Sequence, residues 1–259
     1  MIISMRIRLW SSLAVTLALS ACASARAPQP ASPAAAAPVA GGLRSPDAIL
    51  ADSIAATGGA PAWNAHRTVH LKVTVTLQGM AMGGPAEHFQ TNANKSLTVS
   101  TLPGVGEIRE GSNGRVFWAQ DPINGLRLLQ GAEAEQSRIE AAWNSDLEAH
   151  ALFSKVETAA DSPAGQECLL MTPRLGPPIR ACYDQQTHLQ ISQEGTRSTA
   201  QGDVPFRSTV SDWRSVGGLK IPYSTETKAG PVTILTTVNQ VAFDEPMPDQ
   251  IFEPPAPPP

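Results

Sequence analysis

The chain has 259 residues, with 19 Lys and Arg against 23 Asp and Glu and a formal charge of −4 at pH 7. Scattered basic residues in an acidic chain provide neither the basic stripe that nucleic-acid binding needs nor a polybasic patch for anionic lipids, so we expect no nucleic-acid partner. The length suits one domain with a sizeable core.

The first 21 residues are organised like an export signal. Arg6 and Arg8 precede an apolar run of eleven residues, Leu9 to Leu19, which is too short for a membrane-spanning helix of about 20 residues. A short basic region, a short apolar region and small residues before a cleavage point are typical of a secretory signal. We therefore predict that residues 1–21 form a removable signal peptide.

Leu19-Ser20-Ala21-Cys22 resembles a bacterial lipobox. In that motif the cysteine thiol receives a diacylglyceryl group, cleavage occurs just before it, and the new amino terminus is acylated. The alternative is a plain signal peptide with an incidental cysteine. Since two or more acyl chains hold a protein stably on a bilayer, the resemblance implies a protein anchored through Cys22. In the lipoprotein-sorting pattern that the motif resembles, Asp after the cysteine retains a protein in the inner membrane, so the resemblance implies that Ala23 directs this one to the periplasmic face of the outer membrane.

Composition then divides the remaining chain into three parts. Residues 22–44 are rich in Ala, Pro, Ser and Gly and carry no periodic large apolar residues, which predicts an extended tether. Residues 255–259 form a short proline-rich tail. We expect residues 45–254 to form the folded domain.

The domain begins with helix signals and then with the clearest strand of the chain. Ser45-Pro46-Asp47 is typical of a helix start, and Gly58-Gly59 of its end. From Thr68 to Gln78 apolar and polar residues alternate, which predicts a strand with one buried face in an antiparallel sheet.

Later segments continue this pattern with one helical interruption. We predict helices over 132–143 and 146–153, and strands over 95–101, 105–110, 115–120, 126–130, 155–158, 167–172, 179–184, 189–194, 206–214, 221–228 and 232–243. This order favours an α+β fold in which helices pack on the apolar face of a long, curved antiparallel sheet.

Two cysteines remain besides Cys22. Cys168 and Cys182 each lie seven residues from Leu175, within two short apolar runs around a Pro/Gly turn. A hairpin centred there would place them opposite each other, at a Cα separation that suits a disulfide. An exported chain favours that disulfide, and the alternative is two reduced, buried thiols.

No common catalytic or metal-site motif occurs in the sequence, so we expect neither an enzyme nor a cofactor. His66 and His70 could share a strand face, but strand rise would separate them by about 13 Å, too far for one metal ion. We expect both to be solvated surface histidines.

Four phrases together resemble the outer-membrane lipoprotein-sorting-like domain of the LolA/LolB superfamily. They are IAATGGAPAW, VGEIREGSNGRVFWAQDPINGLRLL, DWRSVGGLKIPYS and VAFDEPMPDQIFEPP, spread over residues 45–254. The resemblance implies an open antiparallel half-barrel of about eleven strands with a helical lid. In the carriers of this family the apolar space between them receives the acyl chains of lipoproteins. The phrase QGMAMGGP, residues 78–85, is either a protruding apolar loop or a plain hairpin end.

These patterns together give a functional expectation. We expect an anchored envelope lipoprotein that binds an acyl chain or another hydrophobic ligand, with a role in lipoprotein or lipid trafficking. The alternative is an envelope sensor or interaction module with a protein partner and no transported ligand. The predicted ligand lining, for which ordinary core packing is the alternative, is Val73, Val75, Leu97, Val99, Trp118, Ile139, Trp143 and Ile191.

Overall fold

The computed structural model describes residues 42–80, 82–199 and 202–256, so the predicted signal peptide, Cys22 and most of the predicted tether lie outside the described residues. The helices are α1 (Pro46–Ala56), α2 (Gly59–Ala65), α3 (Gly131–Glu140) and α4 (Ala149–Leu152), with a 3₁₀ turn at Asp249–Phe252. The strands are β1 (Thr68–Gln78), β2 (Met82–Thr91), β3 (Ser96–Leu102), β4 (Gly106–Ser112), β5 (Phe117–Asp121), β6 (Gly125–Leu128), β7 (Phe153–Thr158), β8 (Gln166–Pro173), β9 (Ile179–Asp184), β10 (Gln190–Thr199), β11 (Gly202–Val216), β12 (Leu219–Ala229) and β13 (Val232–Phe243).

All thirteen described strands belong to one antiparallel sheet in the order β6-β5-β4-β3-β2-β1-β13-β12-β11-β10-β9-β8-β7. Within the run β1 to β6, strands that are consecutive in the chain pair with each other, and the same holds within the run β7 to β13. The pair of β1 with β13 joins these two runs into one sheet. The sheet is curved and does not close, because β6 and β7 remain at its two edges. The predicted α+β half-barrel is therefore confirmed in kind, with thirteen strands instead of about eleven.

Strand β2 was not predicted, since Gly83, Gly84 and Pro85, which follow its first residue, have low strand propensity. They nevertheless pair with Thr76, Val75 and Thr74 of β1. A Cβ atom on Gly83 would lie 2.5 Å from the Val75 carbonyl oxygen, and one on Gly84 would lie 2.0 Å from that of Thr101. These glycines thus permit a close approach of neighbouring strands. Much of the phrase QGMAMGGP therefore belongs to strands.

Local signals explain where the first helices begin and end. The Ser45 hydroxyl accepts a hydrogen bond from the Ala48 N–H, and Pro46 stands in the first turn of α1. Gly58 has a φ of 121° and approaches Gly218 so closely that a Cβ would lie 2.5 Å from its carbonyl oxygen. Helix α1 therefore ends where the sequence predicts, but α2 follows at once and brings Trp63 into the core.

Two faces of the sheet are distinguished by what covers them. The inner face is the one that the helices cover, and it carries the alternating apolar residues of β1, all between 0 and 5% exposed: Val69, Leu71, Val73, Val75 and Leu77. A second inner cluster joins α1 and α3 to strands β7–β9 through Leu50, Ile139 and Leu169. The outer face is the opposite one.

Candidate functional site

The centre of the inner face is apolar and lies beneath two tryptophans. Val73, Val75 and Val238 form one buried cluster with Trp63 of α2 and Trp143. The two indole rings meet edge to face with centroids 6.1 Å apart. Each indole N–H has an acceptor, since Trp143 Nε1 donates to the Trp63 carbonyl at 3.1 Å and Trp63 Nε1 donates to Thr57 Oγ1 at 3.2 Å. The rings therefore close the apolar surface without an unpaired donor.

Residues 141–148, the lid segment, hold Trp143 over the inner face. Gln90 Nε2 on β2 donates to the carbonyl oxygens of Ala141 and Ala142, at 3.1 and 2.7 Å. The Trp143 N–H donates to Asn94 Oδ1 at 2.8 Å. The fully buried Gln90 and the turn between β2 and β3 thus fix a segment that has little regular structure of its own.

A buried carboxylate joins the lid segment to the rest of the core. Asp146 is 3% exposed, and it accepts hydrogen bonds from Ser53 Oγ on α1 at 2.7 Å and from Tyr183 Oη on β9 at 3.0 Å. Burial and the nearby Asp146 charge raise the pKa of Tyr183 well above its ordinary value. The phenol therefore keeps its proton and serves as a hydrogen-bond donor that pins the lid segment.

Towards β6 the inner face becomes polar. His88 Nδ1 lies 2.9 Å from Thr98 Oγ1, and Arg127 on β6 pairs with Glu133 on α3 at 3.1 Å. The hydrogen bond to Glu133 raises the pKa of Arg127, so this side chain remains cationic. The inner face is thus apolar around β1 and charged around β6.

The eight residues predicted to line one cavity do not share one surface. Val73, Val75 and Trp143 lie in the central inner cluster, and Ile139 lies in the inner cluster of α1 and β7–β9. Ile191 is half-buried at an irregularity of β10. Leu97, Val99 and Trp118 lie on the outer face, which corrects the prediction of a common lining. Ligand contact by any of the eight stays a prediction.

Strand register explains this division. Leu71 on the inner face pairs with His88, so Phe89, the next residue of β2, points to the outer face. Successive directly opposed pairs carry the outer face from β2 to β5: Phe89–Leu97, Leu97–Gly111 and Gly111–Trp118. Hydrophobicity marked these residues as buried, but only the pairing shows on which face.

A C-terminal strap, residues 245–256, covers this part of the outer face. Phe252 is fully buried against Leu97 and Trp118. Trp118 Nε1 donates to the Phe252 carbonyl at 3.0 Å. Between strap and sheet lies the outer groove, of about 580 Å³, whose apolar lining includes Phe89, Leu97, Val99, Trp118, Met247 and Ile251. Sequence reasoning placed residues 245–254 in the folded domain but did not find the groove, because this proline-rich stretch has no periodicity that shows which face of the sheet it covers.

The predicted disulfide is confirmed. Cys168 of β8 and Cys182 of β9 are bonded, pair directly in register, and have Cα atoms 4.0 Å apart. Both are buried, at 0 and 5% exposure. The disulfide ties two neighbouring strands together close to one edge of the sheet.

The predicted solvated character of His66 and His70 is wrong. His66 Nδ1 lies 2.7 Å from Asp244 Oδ2, and Nε2 lies 2.7 Å from the Gly217 carbonyl oxygen. Burial lowers the pKa of His66, but hydrogen bonds to these two acceptors outweigh it and leave the pKa raised. His70 lies between the carboxylates of Glu87 and Glu245, at 2.6 and 3.0 Å. Both histidines therefore link the start of β1 to the chain around the strap.

Within residues 42–80, 82–199 and 202–256, no three His, Cys, Asp or Glu side chains come together as metal ligands. No helix in those ranges is both long and apolar enough to cross a membrane.

No protein-family model matches the chain, and no curated protein matches it in sequence. Solved structures do match its fold. A DUF1329 family protein from Desulfovibrio piger ATCC 29098 has a TM-score of 0.55 at 10% identity, covering 80% of this chain and 96% of that chain. A domain from Vibrio parahaemolyticus, described as an outer membrane lipoprotein-sorting protein domain, has a TM-score of 0.55 at 10% identity and covers 80% and 95%.

A LolA superfamily protein from Nitrosomonas europaea gives a TM-score of 0.52 at 13% identity, covering 82% of this chain and 98% of that chain. These likenesses span nearly the whole length of the matched chains, and they agree with the resemblance found in the sequence. The described part of the chain therefore shares the fold of these proteins.

Proposed function

We propose that this protein is a lipid-anchored lipoprotein of the bacterial cell envelope that binds an acyl chain or another hydrophobic ligand between its sheet and helices. A role in lipoprotein or lipid trafficking follows from such binding. The observation that carries the proposal is the apolar inner face beneath Trp63 and Trp143, in a fold shared with a lipoprotein-sorting domain. Fold alone does not fix function, so the surface has to supply the argument.

The distribution of polarity on the inner face favours an amphiphile. Apolar side chains of β1 and β13 are buried beneath the two tryptophans and would contact a hydrocarbon chain placed there, while Arg127 and Glu133 lie at the β6 end of the same face. Binding sites for small molecules are mostly apolar with a few placed polar groups. A ligand with a chain and a polar head suits this arrangement.

The proposed mode of action is binding and not catalysis. The buried Asp146 is hydrogen-bonded to Ser53 and Tyr183, and the Tyr183 pKa lies far above neutrality. These groups therefore hold the lid segment in place, and a proton-transfer role would need a pKa much nearer to the working pH.

Native mass spectrometry of the full chain, purified gently from membranes, tests ligand binding. We expect bound lipid, and we expect Val232→Glu to reduce it strongly, since Val232 packs against the inner apolar cluster. Thr237→Glu, on an exposed outer-face position of the same strand, is the matched control and should retain the lipid. Equal lipid content in both variants would contradict the inner-face site.

The anchor has a separate test. Intact-mass measurement should show an acylated chain that begins at Cys22, and Cys22→Ala should release the protein from the membrane fraction. An unmodified chain that begins elsewhere would refute the anchor while leaving ligand binding on the inner face to be judged on its own.

A further inference from the structure

The outer groove lies on the face of the sheet opposite the helices. We propose that it is a second ligand site, for an unbranched acyl chain with an anionic head group, and that Arg109 binds the head. This inference is independent of the proposed function, because no residue of the groove belongs to the inner face.

The groove has the size and lining of a small-molecule site. Its volume is about 580 Å³, within the range of about 300–1,000 Å³ typical of ligand pockets. Its floor is formed by Phe89, Leu97 and Val99, and Met247 and Ile251 of the strap form the opposite wall. Flexible and aliphatic side chains on both sides fit a narrow hydrocarbon chain better than a bulky polar molecule.

The strap is fixed along its length, which keeps the groove from collapsing. At its start the Glu245 carbonyl oxygen accepts a hydrogen bond from Thr68 Oγ1 at 2.8 Å. In its middle Asp249 pairs with Lys95 at 2.8 Å, and near its end Glu253 Oε2 accepts a hydrogen bond from Asn113 at 2.7 Å. Four prolines stiffen the segment between and beyond these anchors: Pro246, Pro248, Pro254 and Pro255. The groove is thus preformed.

The polar side chains of the groove differ in how many of their hydrogen-bonding atoms already have a partner. Glu245 pairs with His70 and Glu253 pairs with Asn113. The Arg109 side chain uses its Nε to contact Glu107 at 2.6 Å and makes no other hydrogen bond within the described part of the chain. Its two terminal nitrogens therefore remain for a ligand, and a guanidinium holds carboxylate or phosphate oxygens through paired hydrogen bonds.

Trp118 explains why the occupant is a small molecule and not a proline-rich peptide. Proline-rich segments dock on exposed aromatic rings. Trp118 is only 1% exposed, because Phe252 and the backbone of Gly111 cover it. Trp118 therefore lines the groove only through the small part of its ring that stays uncovered, and it offers no open ring face to a proline-rich peptide.

Photolabelling tests the site. The full chain in lipid nanodiscs is irradiated with a saturated 12-carbon carboxylic acid that carries a diazirine near its methyl end, and labelled residues are mapped by peptide mass spectrometry. We expect labels on peptides that contain Val99, Met247 and Ile251. Val99→Trp fills the groove and should lower this labelling by at least about fivefold. Thr101→Trp, on an exposed outer-face position of the same strand and outside the groove, is the matched control and should not.

The head group is tested with two further arms. Arg109→Gln should weaken labelling by the carboxylic acid about tenfold, and Arg115→Gln, an exposed control, should not. A trimethylammonium probe with the same chain should label the unaltered groove weakly. Labels confined to inner-face peptides would overturn the outer site and leave the proposed function standing. Equal labelling of Val99→Trp and Thr101→Trp would overturn the proposed groove site. Equal labelling by the carboxylic acid and the trimethylammonium probe would overturn the role of Arg109.

Discussion

The two faces of strands β1–β5 are covered in different ways, and the central inner cluster is much larger than the outer one. On the inner face the cover consists of helices and the lid segment, held through buried polar groups such as Gln90 and Asp146. On the outer face the cover is the strap, which is held by the buried Phe252, by hydrogen bonds from Thr68, Asn113 and Trp118, and by the ion pair of Lys95 with Asp249. Exposed ion pairs contribute little, typically about 0–1 kcal/mol. The inner cover is therefore fixed through buried polar groups, and the outer cover through the burial of Phe252 and through contacts nearer to the surface.

The largest expected effect is on the inner face. Trp63 is 1% exposed and touches both α1 and Trp143, so Trp63→Ala should lower the free energy of unfolding by about 3–5 kcal/mol. Urea denaturation measures this change. Trp213→Ala, at a half-buried position of β11, is the matched control and should cost much less. Equal losses would mean that the inner cover does not depend on Trp63.

A second prediction concerns the disulfide, which stiffens the sheet far from the strap. Replacing Cys168 and Cys182 together by alanine removes a link that closes a loop with a sequence separation of 14. The free energy of unfolding should fall by about 3 kcal/mol. Denaturation of the unaltered chain with and without a reductant provides the control, and a reductant that has no effect would contradict the expectation.

A third prediction tests the packing of the outer face. A Cβ atom on Gly111 would lie 2.5 Å from Cζ2 of Trp118, so Gly111→Ala should destabilise the domain by about 1–3 kcal/mol through overpacking. Trp118→Phe in the same chain should recover part of this loss, since the smaller ring makes room. Additive losses in the double variant, measured by urea denaturation, would show that the two positions are not coupled.

The smallest expected effect is a pH dependence at the link between His66 and Asp244. The raised pKa of His66 means that its contribution is complete below its ordinary pKa of about 6.5 and is lost as pH rises through the folded value. Hydrogen bonds from the Arg67 N–H and His66 lower the pKa of Asp244, so its contribution is lost only as pH falls well below 4.

The stability difference between the unaltered chain and His66→Gln should therefore be greatest between about pH 4 and 6.5 and should shrink at higher pH. Denaturation midpoints across that range measure it. Asp244→Asn should flatten the same profile, and a profile that keeps its slope in Asp244→Asn would show that another group titrates.

Part of the fold could be predicted from the sequence because it depends on local patterns. The alternation from Thr68 to Gln78 defines β1 and its buried face, and the predicted strand has the bounds that the structure shows. Cys168 and Cys182 stand symmetrically about a turn, which was enough to predict their bond. Strand β2 was not predicted because glycines usually indicate a turn. Here they allow close backbone contact with neighbouring strands, which can be seen only once the strands are paired.

The sequence by itself determined where β1 lies and which of its residues are buried, which cysteines pair and that the sheet is antiparallel, because periodicity and turn residues act within a few positions of the chain. Only the tertiary structure decided on which face Leu97, Val99 and Trp118 lie and that residues 245–256 cover them. Those features depend on strand register and on contacts such as Trp118 with Phe252, between residues more than a hundred positions apart. A local pattern carries no information about such pairings.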